Sequence, residues 1–555
     1  MLLTLHRYVF RELLRVFILA SVALTLMLSL GSILQPIQEY GVGPRQVVSL
    51  MGYFLPITLT FVLPMAALFA GALVYGRLAS DNELDACRAS GISLPTMTYP
   101  GLALAAIVAV ANLLLSFYVM PVFVHRAEKS FKADAKQMLF RNIERRRYYE
   151  LPPDGRYLIY ADRANVQNDT LLGAVVAERN NNQIENIITA DAAKVMFDTH
   201  ETFSVVRIIA QNSAHMGAEG GGGAQLGSLT KEVGSLLGDE INFKKIDEMR
   251  TIARDPMQFY PVAQLAREMY SQLIVELLAD DIKRKTQDPR PQTQDSKHES
   301  GVSGPESGVW YELAGEPNCV KLTARQCRVR GAEVELYDGV QVVEYRADSR
   351  SGGTAGLRTL TCADATMHLE GDDPLAPTLR ISLRSPQEAG SKQLRMWYAI
   401  SGLRVPDAVE TQARQVKTKN GSLQPEKLAS ALSQIAQFAP SKALKDLQNK
   451  LSRQIRITLV EIKAEIHSRL VFAAGCVPMI MIGIGLGILK KGGHLLSAFG
   501  ASCVPAAVLV VCIMSGKQLT QNLNAQTVSG VGLMWGGLGF LVLLALGIYA
   551  RLLRH

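Results

Sequence analysis

Long apolar runs interrupted by short polar stretches occupy the two ends of the chain, and a long polar region separates them. Each run lacks Asp, Glu, Lys and Arg. Each is also long enough for an α-helix to cross the hydrocarbon core of a membrane, which takes about 20 residues. The sequence therefore predicts six transmembrane helices. The six runs are residues 16–35, 47–74, 94–124, 470–489, 495–516 and 528–550.

The polar middle, residues 125–469, has a different pattern. Short alternating segments bounded by turn residues predict strands between residues 156 and 210, and again between 309 and 400. Between these blocks we expect a flexible Gly-rich stretch at 217–227, helix over 241–285 and a linker rich in Pro, Gln and Ser. From about residue 425 the pattern is helical again, and it continues from 442 into the fourth span.

The predicted fold is an α-helical membrane protein with three transmembrane helices on each side of a large extracytoplasmic β-jellyroll-like domain. Many short strands without a βαβ pattern favour such an antiparallel architecture. The expected divisions are 1–124 (helices 1–3, with a cytoplasmic helix at 76–91), 125–285 (jellyroll-like region with a helical tail), 286–308 (linker), 309–455 (second strand-rich region, a possible insertion) and 456–555 (helices 4–6).

Basic residues flanking the spans indicate the orientation. Cytoplasmic loops carry an excess of Lys and Arg. Nine such residues lie on one side and two on the other, which predicts cytoplasmic termini and an extracytoplasmic middle. The nine are Arg7, Arg11, Arg15, Arg77, Arg88, Lys490, Lys491, Arg551 and Arg554, and the two are Arg45 and Lys517.

A polar island at residues 75–93 separates the second and third spans, and the whole chain is interpreted around it. Ser80 and Glu83 have the spacing of a capping box, Asp81 and Asp85 add negative charge, Arg88 lies near the expected helix end, and Gly91 is placed to stop the helix. Glu83 could simply cap the helix. Alternatively, an acidic helix at a membrane face could dock into a basic groove of another protein, and the residues alone leave both roles open.

Chemical motifs for catalysis are missing. The chain has no GxxxxGK[ST] phosphate loop, no HExxH and no GxSxG. Glu461, Glu465 and His467 lie close together, but we interpret them as a solvated helix face. No metal or cofactor is expected. The net charge of +8 comes from residues near span ends, which argues against nucleic-acid binding.

Ionisable residues are also missing from the cores of the spans, which argues against an ion-coupled carrier. Of the seven cysteines, Cys319, Cys327 and Cys362 fall in the polar middle. Their sequence positions leave open one disulfide or three free thiols.

Two motifs resemble the LptF/LptG (YjgP/YjgQ) permease family of the lipopolysaccharide-export ABC transporter. The first is Leu78-Ala-Ser-Asp-Asn-Glu-Leu-Asp-Ala-Cys-Arg-Ala-Ser-Gly-Ile-Ser93, which is similar to the family's cytoplasmic segment between spans two and three. The second is Glu465-Ile-His-Ser-Arg469 before the fourth span, which is similar to the family's Glu-x-His-x-Arg. The order of three spans, outer jellyroll and three spans agrees with both, although the outer region is longer than usual.

This resemblance implies a transport subunit rather than an enzyme. Glu83 would lie in a coupling helix and contact a cytoplasmic ABC ATPase (LptB-like), supported by Asp81, Asp85, Arg88 and Gly91. A second LptF/LptG-type permease would complete a cavity for lipopolysaccharide or a related lipid. Periplasmic jellyroll proteins (LptC/LptA-like) would continue the path outward. The implied location is the bacterial inner membrane.

A signalling or mechanotransmission protein with a ligand-binding outer domain is the alternative function. It would also need a cytoplasmic effector, but no lateral lipid cavity. The sequence leaves open whether the chain is LptF-type or LptG-type, whether it pairs with itself or with another subunit, which lipid it carries and which residues touch that lipid. Basic residues before the fourth span are interpreted as a solvated helix face rather than a phosphate site: Lys442, Lys445, Lys450, Arg453 and Arg456.

Overall fold

The computed structural model divides the chain into two compact units, residues 1–256 with 456–555 and residues 257–455. The residues described are 2–40, 44–151, 157–180, 183–199, 204–217, 220–233, 240–287, 310–315, 319–347, 354–370, 377–388, 397–414, 441–489, 495–521 and 527–554. The predicted linker falls almost wholly outside them, as does the expected helix at 425–440.

Six helices of the described chain are long and apolar enough to cross a membrane. Their apolar runs match the six expected from sequence. The third continues through a π-helical turn, Leu115–Val119, into α5. The helices of the first unit are α1 (Leu2–Tyr40), α2 (Pro44–Ser80), α3 (Glu83–Ala89), α4 (Leu94–Leu114), α5 (Met120–Arg146), α6 (Ile246–Arg254), α9 (Lys442–Leu489, whose first turns belong to the second unit), α10 (Leu495–Gln521) and α11 (Thr527–Arg554).

The first β-sheet is antiparallel and has the order β1-β2-β4-β5-β6-β7, with β3 paired to β4. Its apolar face packs on the end of α5 through Leu139, Phe140 and Ile143. Burial of these side chains, each no more than 1% exposed, fixes the sheet against the continuation of the third span. The strands are β1 (Tyr148–Glu150), β2 (Tyr157–Tyr160), β3 (Arg163–Asn165), β4 (Thr170–Asn180), β5 (Gln183–Thr199), β6 (Ser204–Gly217) and β7 (Gly220–Val233).

The expectation of a flexible Gly-rich stretch at 217–227 was wrong for its described residues. Gly217 ends β6, and the glycines from Gly220 onward belong to β7, which pairs with β6 from Gly217↔Gly220 to Ser204↔Val233. Glycine is unfavourable in a strand because of its backbone entropy. Here the ladder with β6 supplies the backbone hydrogen bonds that composition alone did not suggest.

The second unit contains a second antiparallel sheet, with the order β15-β13-β12-β11-β9-β8 and with β10 and β14 paired to β11 and β12. Its two ends meet, because Gly315 forms a bridge with Leu403 and the Arg404 N–H donates to the Ala314 carbonyl over 2.7 Å. The strands are β8 (Tyr311–Leu313), β9 (Cys319–Thr323), β10 (Gln326–Arg330), β11 (Glu333–Ala347), β12 (Thr354–Glu370), β13 (Thr378–Arg384), β14 (Gln387–Glu388) and β15 (Trp397–Arg404).

Helix α7 (Tyr260–Gln287) packs on this second sheet, and α8 (Asp407–Arg414) packs on α7. The Tyr311 hydroxyl donates to Asp281 over 2.6 Å, and the Cys327 thiol lies 3.5 Å from the Ala279 carbonyl. In the same unit Ser441, just before α9, bonds Glu276 of α7 and accepts from the Leu444 N–H. Cys319, Cys327 and Cys362 are free thiols.

The expectation of a membrane protein carrying a β domain is therefore confirmed. The arrangement of three plus three spans in a membrane and the jellyroll topology stay predictions. The domain boundaries expected from sequence also stay predictions.

Candidate functional site

The polar island folds as a short helix between two long ones, but it begins differently from the sequence expectation. Ser80 is the last residue of α2, and its hydroxyl donates to the Gly76 carbonyl of that helix over 3.0 Å. Helix α3 starts at Glu83 behind Asn82, which has a φ of 57° and makes no side-chain cap. The predicted capping box was therefore wrong, because α2 extends through Ser80 and uses its hydroxyl.

The other end of α3 agrees with the sequence. Gly91 has a φ of +82°, a backbone conformation that glycine adopts without strain. The Gly91 N–H donates to the Arg88 carbonyl over 2.9 Å, and the Ile92 N–H donates to the Cys87 carbonyl over 3.1 Å. These two bonds form a Schellman motif, which ends the helix and turns the chain toward α4.

The charged residues of the island lie on its solvent side. Asp81, Glu83 and Arg88 are exposed, and Asp85 is half-buried. Leu84, on the opposite side of α3, is only 3% exposed and belongs to the apolar core formed with α1, α2 and α4. Burial of Leu84 thus fixes the orientation in which Glu83 faces outward.

A groove borders Glu83. Its lining is mostly apolar, and Glu83 is the acidic residue in that lining. An acidic group beside apolar surface suits a partner that offers a basic residue next to an apolar one. The groove is lined by Leu5, His6, Tyr8, Val9, Tyr75, Leu78, Glu83, Leu84, Cys87 and Met97.

A buried charge centre lies at the start of the fourth span, where the sequence suggested a solvated face. Glu465 and Arg469 are 6% and 5% exposed, and the Arg469 Nε donates to Glu465 Oε1 over 2.8 Å. The Lys517 Nζ lies 2.5 Å from the other carboxylate oxygen, Glu465 Oε2. The solvated-face interpretation was therefore wrong for Glu465.

The remaining donors of Arg469 bind backbone carbonyls of other elements. They reach Ser116 over 2.9 Å, Asn242 over 2.7 Å and Lys244 over 3.3 Å. Asn242 lies within the 3₁₀ turn that precedes α6, and Lys244 directly follows that turn. A single guanidinium thus connects the third span, the fourth span and the chain that follows the first sheet.

The π-helical turn explains why the Ser116 carbonyl is available. The Met120 N–H donates to the Leu115 carbonyl, five residues back, instead of to Ser116. Pro121, the next residue, has no N–H to offer. A π-bulge of this kind frees a carbonyl, and Arg469 supplies its donor.

Sequence reasoning placed Lys517 in a loop, whereas it lies inside α10 with its side chain largely buried against Glu465 and Asn242. The i, i+4 spacing of Glu465 and Arg469 was a usable signal for an ion pair. Their other partners are 52 residues away (Lys517) or more than 200 residues away (the three carbonyls), so nothing local could identify them. Within the described residues no group of three His, Cys, Asp or Glu side chains could hold a metal ion.

Residues 7–212 match the family model described as "Lipopolysaccharide export system permease LptF/LptG". Over these residues, which make up less than half of the chain, the sequence is similar to the LptF/LptG permease family. The matched segment contains the first three candidate spans, α3 with Glu83, and the first sheet as far as β6. No curated protein matches the chain.

By its description, the matched family is a permease component of lipopolysaccharide export. The six apolar helices make it a multi-pass membrane protein. The charge centre lies mainly beyond the matched segment, since Ser116 is within it and Glu465, Arg469 and Lys517 are not.

Proposed function

We propose that the chain is the permease subunit of an ABC transporter that extracts lipopolysaccharide, or a related lipid, from the outer leaflet of the bacterial inner membrane. A separate cytoplasmic ATPase drives it. The observation that carries the proposal is the exposed carboxylate of Glu83, held outward by buried Leu84 on a helix joining two spans, inside the LptF/LptG-matching segment.

In this proposal Glu83 docks into a basic groove of the ATPase, and α3 passes the movement to α2 and α4. Asp81 and Asp85 add to the negative charge of the docking face. Arg88 completes the exposed surface, and Gly91 fixes the angle at which α3 turns into α4. The excess of basic residues beside the spans supports a cytoplasmic position for α3 and for both termini.

The lipid path follows from the same proposal. A second LptF/LptG-type permease faces this one, and the spans enclose a cavity open to the outer leaflet. Their apolar, uncharged surfaces suit acyl chains, which need no polar partners. The first sheet then passes the lipid to LptC/LptA-like jellyroll proteins outside.

In this proposal the charge centre couples movement of the spans to movement of the first sheet. Arg469 bonds the carbonyls of Asn242 and Lys244, in and directly after the 3₁₀ turn, and at the same time the Ser116 carbonyl of the third span. Because buried, charge-assisted bonds to several elements hold them in one geometry, a shift of these spans would move the base of the first sheet.

A pull-down tests the proposal. The tagged full chain is extracted from its native membrane beside Glu83→Ala and, as a matched control, Asp81→Ala, which removes a neighbouring exposed carboxylate. We expect an ABC ATPase to co-purify with the wild type and with Asp81→Ala and to be lost from Glu83→Ala. Failure of any ATPase to co-purify with the wild type would contradict the proposal and favour the signalling alternative.

A further inference from the structure

The first turns of α1 hold both ends of the segment that contains α3. At the α2 end, Arg77 Nη2 lies 3.1 Å from Glu12 Oε1. At the α4 end, the ring nitrogen Nε2 of His6 lies 3.0 Å from the Thr96 carbonyl oxygen, to which its N–H donates. Neither bond is local in sequence, since 65 and 90 residues separate the partners.

Pro100 explains the second bond. Within a helix, the Thr96 carbonyl would accept from the N–H of residue 100. Proline has no N–H, so this carbonyl needs another donor. His6 supplies it, and the His6 ring also meets the Tyr99 ring edge-on with centroids 6.3 Å apart.

Between these two bonds the contact is apolar. Val9 and Leu13, one turn apart on α1, are 6% and 0% exposed and share a core with Leu78 and Leu84. Glu12 is 17% exposed and Arg77 is 40% exposed, so the carboxylate end of this pair is shielded from solvent and the guanidinium end is not.

We propose that residues 6–13 of α1 form, with α3, one mechanical platform, in which Glu12 and His6 are positioning residues that carry movement of α3 into the first span. This inference rests on the proposed function, in which the ATPase moves α3. The chain already connects α3 to α2 and α4. Side-chain contacts must make the connection to α1, which is remote in sequence.

The first step of the test repeats the pull-down with Glu12→Gln, Arg77→Gln and the matched control Arg15→Gln. Arg15 is the other arginine bonded to Glu12, at 3.4 Å, but it lies on α1 itself and is 59% exposed. Removing it therefore takes away one arginine partner of Glu12 without breaking the connection between helices. We expect all three variants to retain the ATPase, because Glu83 is untouched.

The second step measures the movement of the first span. An environment-sensitive fluorescent amino acid at position 19, where Leu19 is exposed, reports on span one when ATP is added to the ATPase-bound complex. We expect a nucleotide-dependent signal in the wild type and in Arg15→Gln. The signal should fall about fivefold or more in Glu12→Gln and Arg77→Gln, as for loss of a coupling between sites. The reciprocal pair Glu12→Arg with Arg77→Glu should restore it in part.

Equal signals in all variants, or no signal in the wild type with ATPase bound, would overturn the inference while leaving the docking role of Glu83 intact. Absence of the ATPase from the wild type would instead overturn the proposed function, and the inference with it. A drop in the single variants that the reciprocal pair does not reverse would also count against a specific Glu12–Arg77 connection.

Discussion

Replacing Arg469 with methionine should destabilise the first unit strongly. The change keeps an unbranched side chain but removes the charge and every donor. Glu465 would keep Lys517, whereas the carbonyls of Ser116, Asn242 and Lys244 would lose the donor that Arg469 gives them.

The magnitude follows from burial. Breaking a buried ion pair by removing one partner costs about 3–5 kcal/mol, and each buried carbonyl left without a donor costs about 1–3 kcal/mol. These costs do not add fully, because Lys517 still compensates Glu465 and is itself 23% exposed, so that water can enter. We therefore expect a loss of about 3–5 kcal/mol in the free energy of unfolding.

Thermal unfolding of the full chain in detergent is the assay. For a unit of this size the loss corresponds to a fall of about 4–7 °C in the midpoint. The matched control is Arg456→Met, an exposed arginine on the same helix, which should change the free energy by less than about 0.5 kcal/mol. If Arg469→Met were as mild as Arg456→Met, the argument that this centre fixes the spans would be refuted.

Two further predictions concern helix packing and pH. A Cβ on Gly483 or Gly487 would lie 2.7 Å from the Leu68 carbonyl oxygen or 2.6 Å from that of Ala72, so alanine at either position should separate α2 from α9 and cost about 1–3 kcal/mol. Gly539→Ala on α11 meets nothing within 4 Å and is the control; equal thermal midpoints for the three variants would contradict the close packing. In the second unit, burial lowers the pKa of His368 below its usual 6.5, and Arg380 acts in the same direction against Glu333 and Glu370. Because the folded-state pKa is the lower one, the folded state favours the neutral ring. The contribution of His368 to stability is therefore present above about pH 6.5 and is lost as the pH falls through that value toward the folded-state pKa. Hydrogen exchange of peptides from β11 and β12 should show that the free energy of unfolding decreases as the pH is lowered through this range. His368→Gln should reduce the slope of this pH dependence by up to about 1.4 kcal/mol per pH unit. An unchanged slope in His368→Gln would contradict the prediction.

The spans were predictable from the sequence because length and apolar character are local properties. A run without charge that is long enough to cross the hydrocarbon core has few alternatives. The same holds for the end of α3, since a glycine followed by an apolar residue is a local signal for a Schellman motif, here Gly91 and Ile92.

Features that depend on pairing were not predictable in this way. Ser80 and Glu83 have capping-box spacing, but α2 continues far enough to use the Ser80 hydroxyl itself. The glycines of β7 have low strand propensity, and only their ladder with β6 makes them a strand.

The charge centre illustrates the same limit at the candidate site. A charged helix face before a span is usually solvated, and Glu465 would fit that pattern by sequence alone. Its burial depends on Lys517, and the burial of Arg469 depends on a carbonyl freed by a π-helical turn near Pro121. The π-helical turn, the start of the fourth span and the helix with Lys517 are separate in sequence, so these contacts form only in the folded chain.

The proposed function requires that Glu83 contacts a cytoplasmic ATPase, and photo-crosslinking in the native membrane tests this contact. A photoreactive amino acid is placed at position 83, and a second version carries it at position 172, where Leu172 is exposed on the first sheet. We expect a crosslinked ABC ATPase from position 83 and none from position 172. No ATPase adduct from position 83, or adducts from both positions, would contradict it.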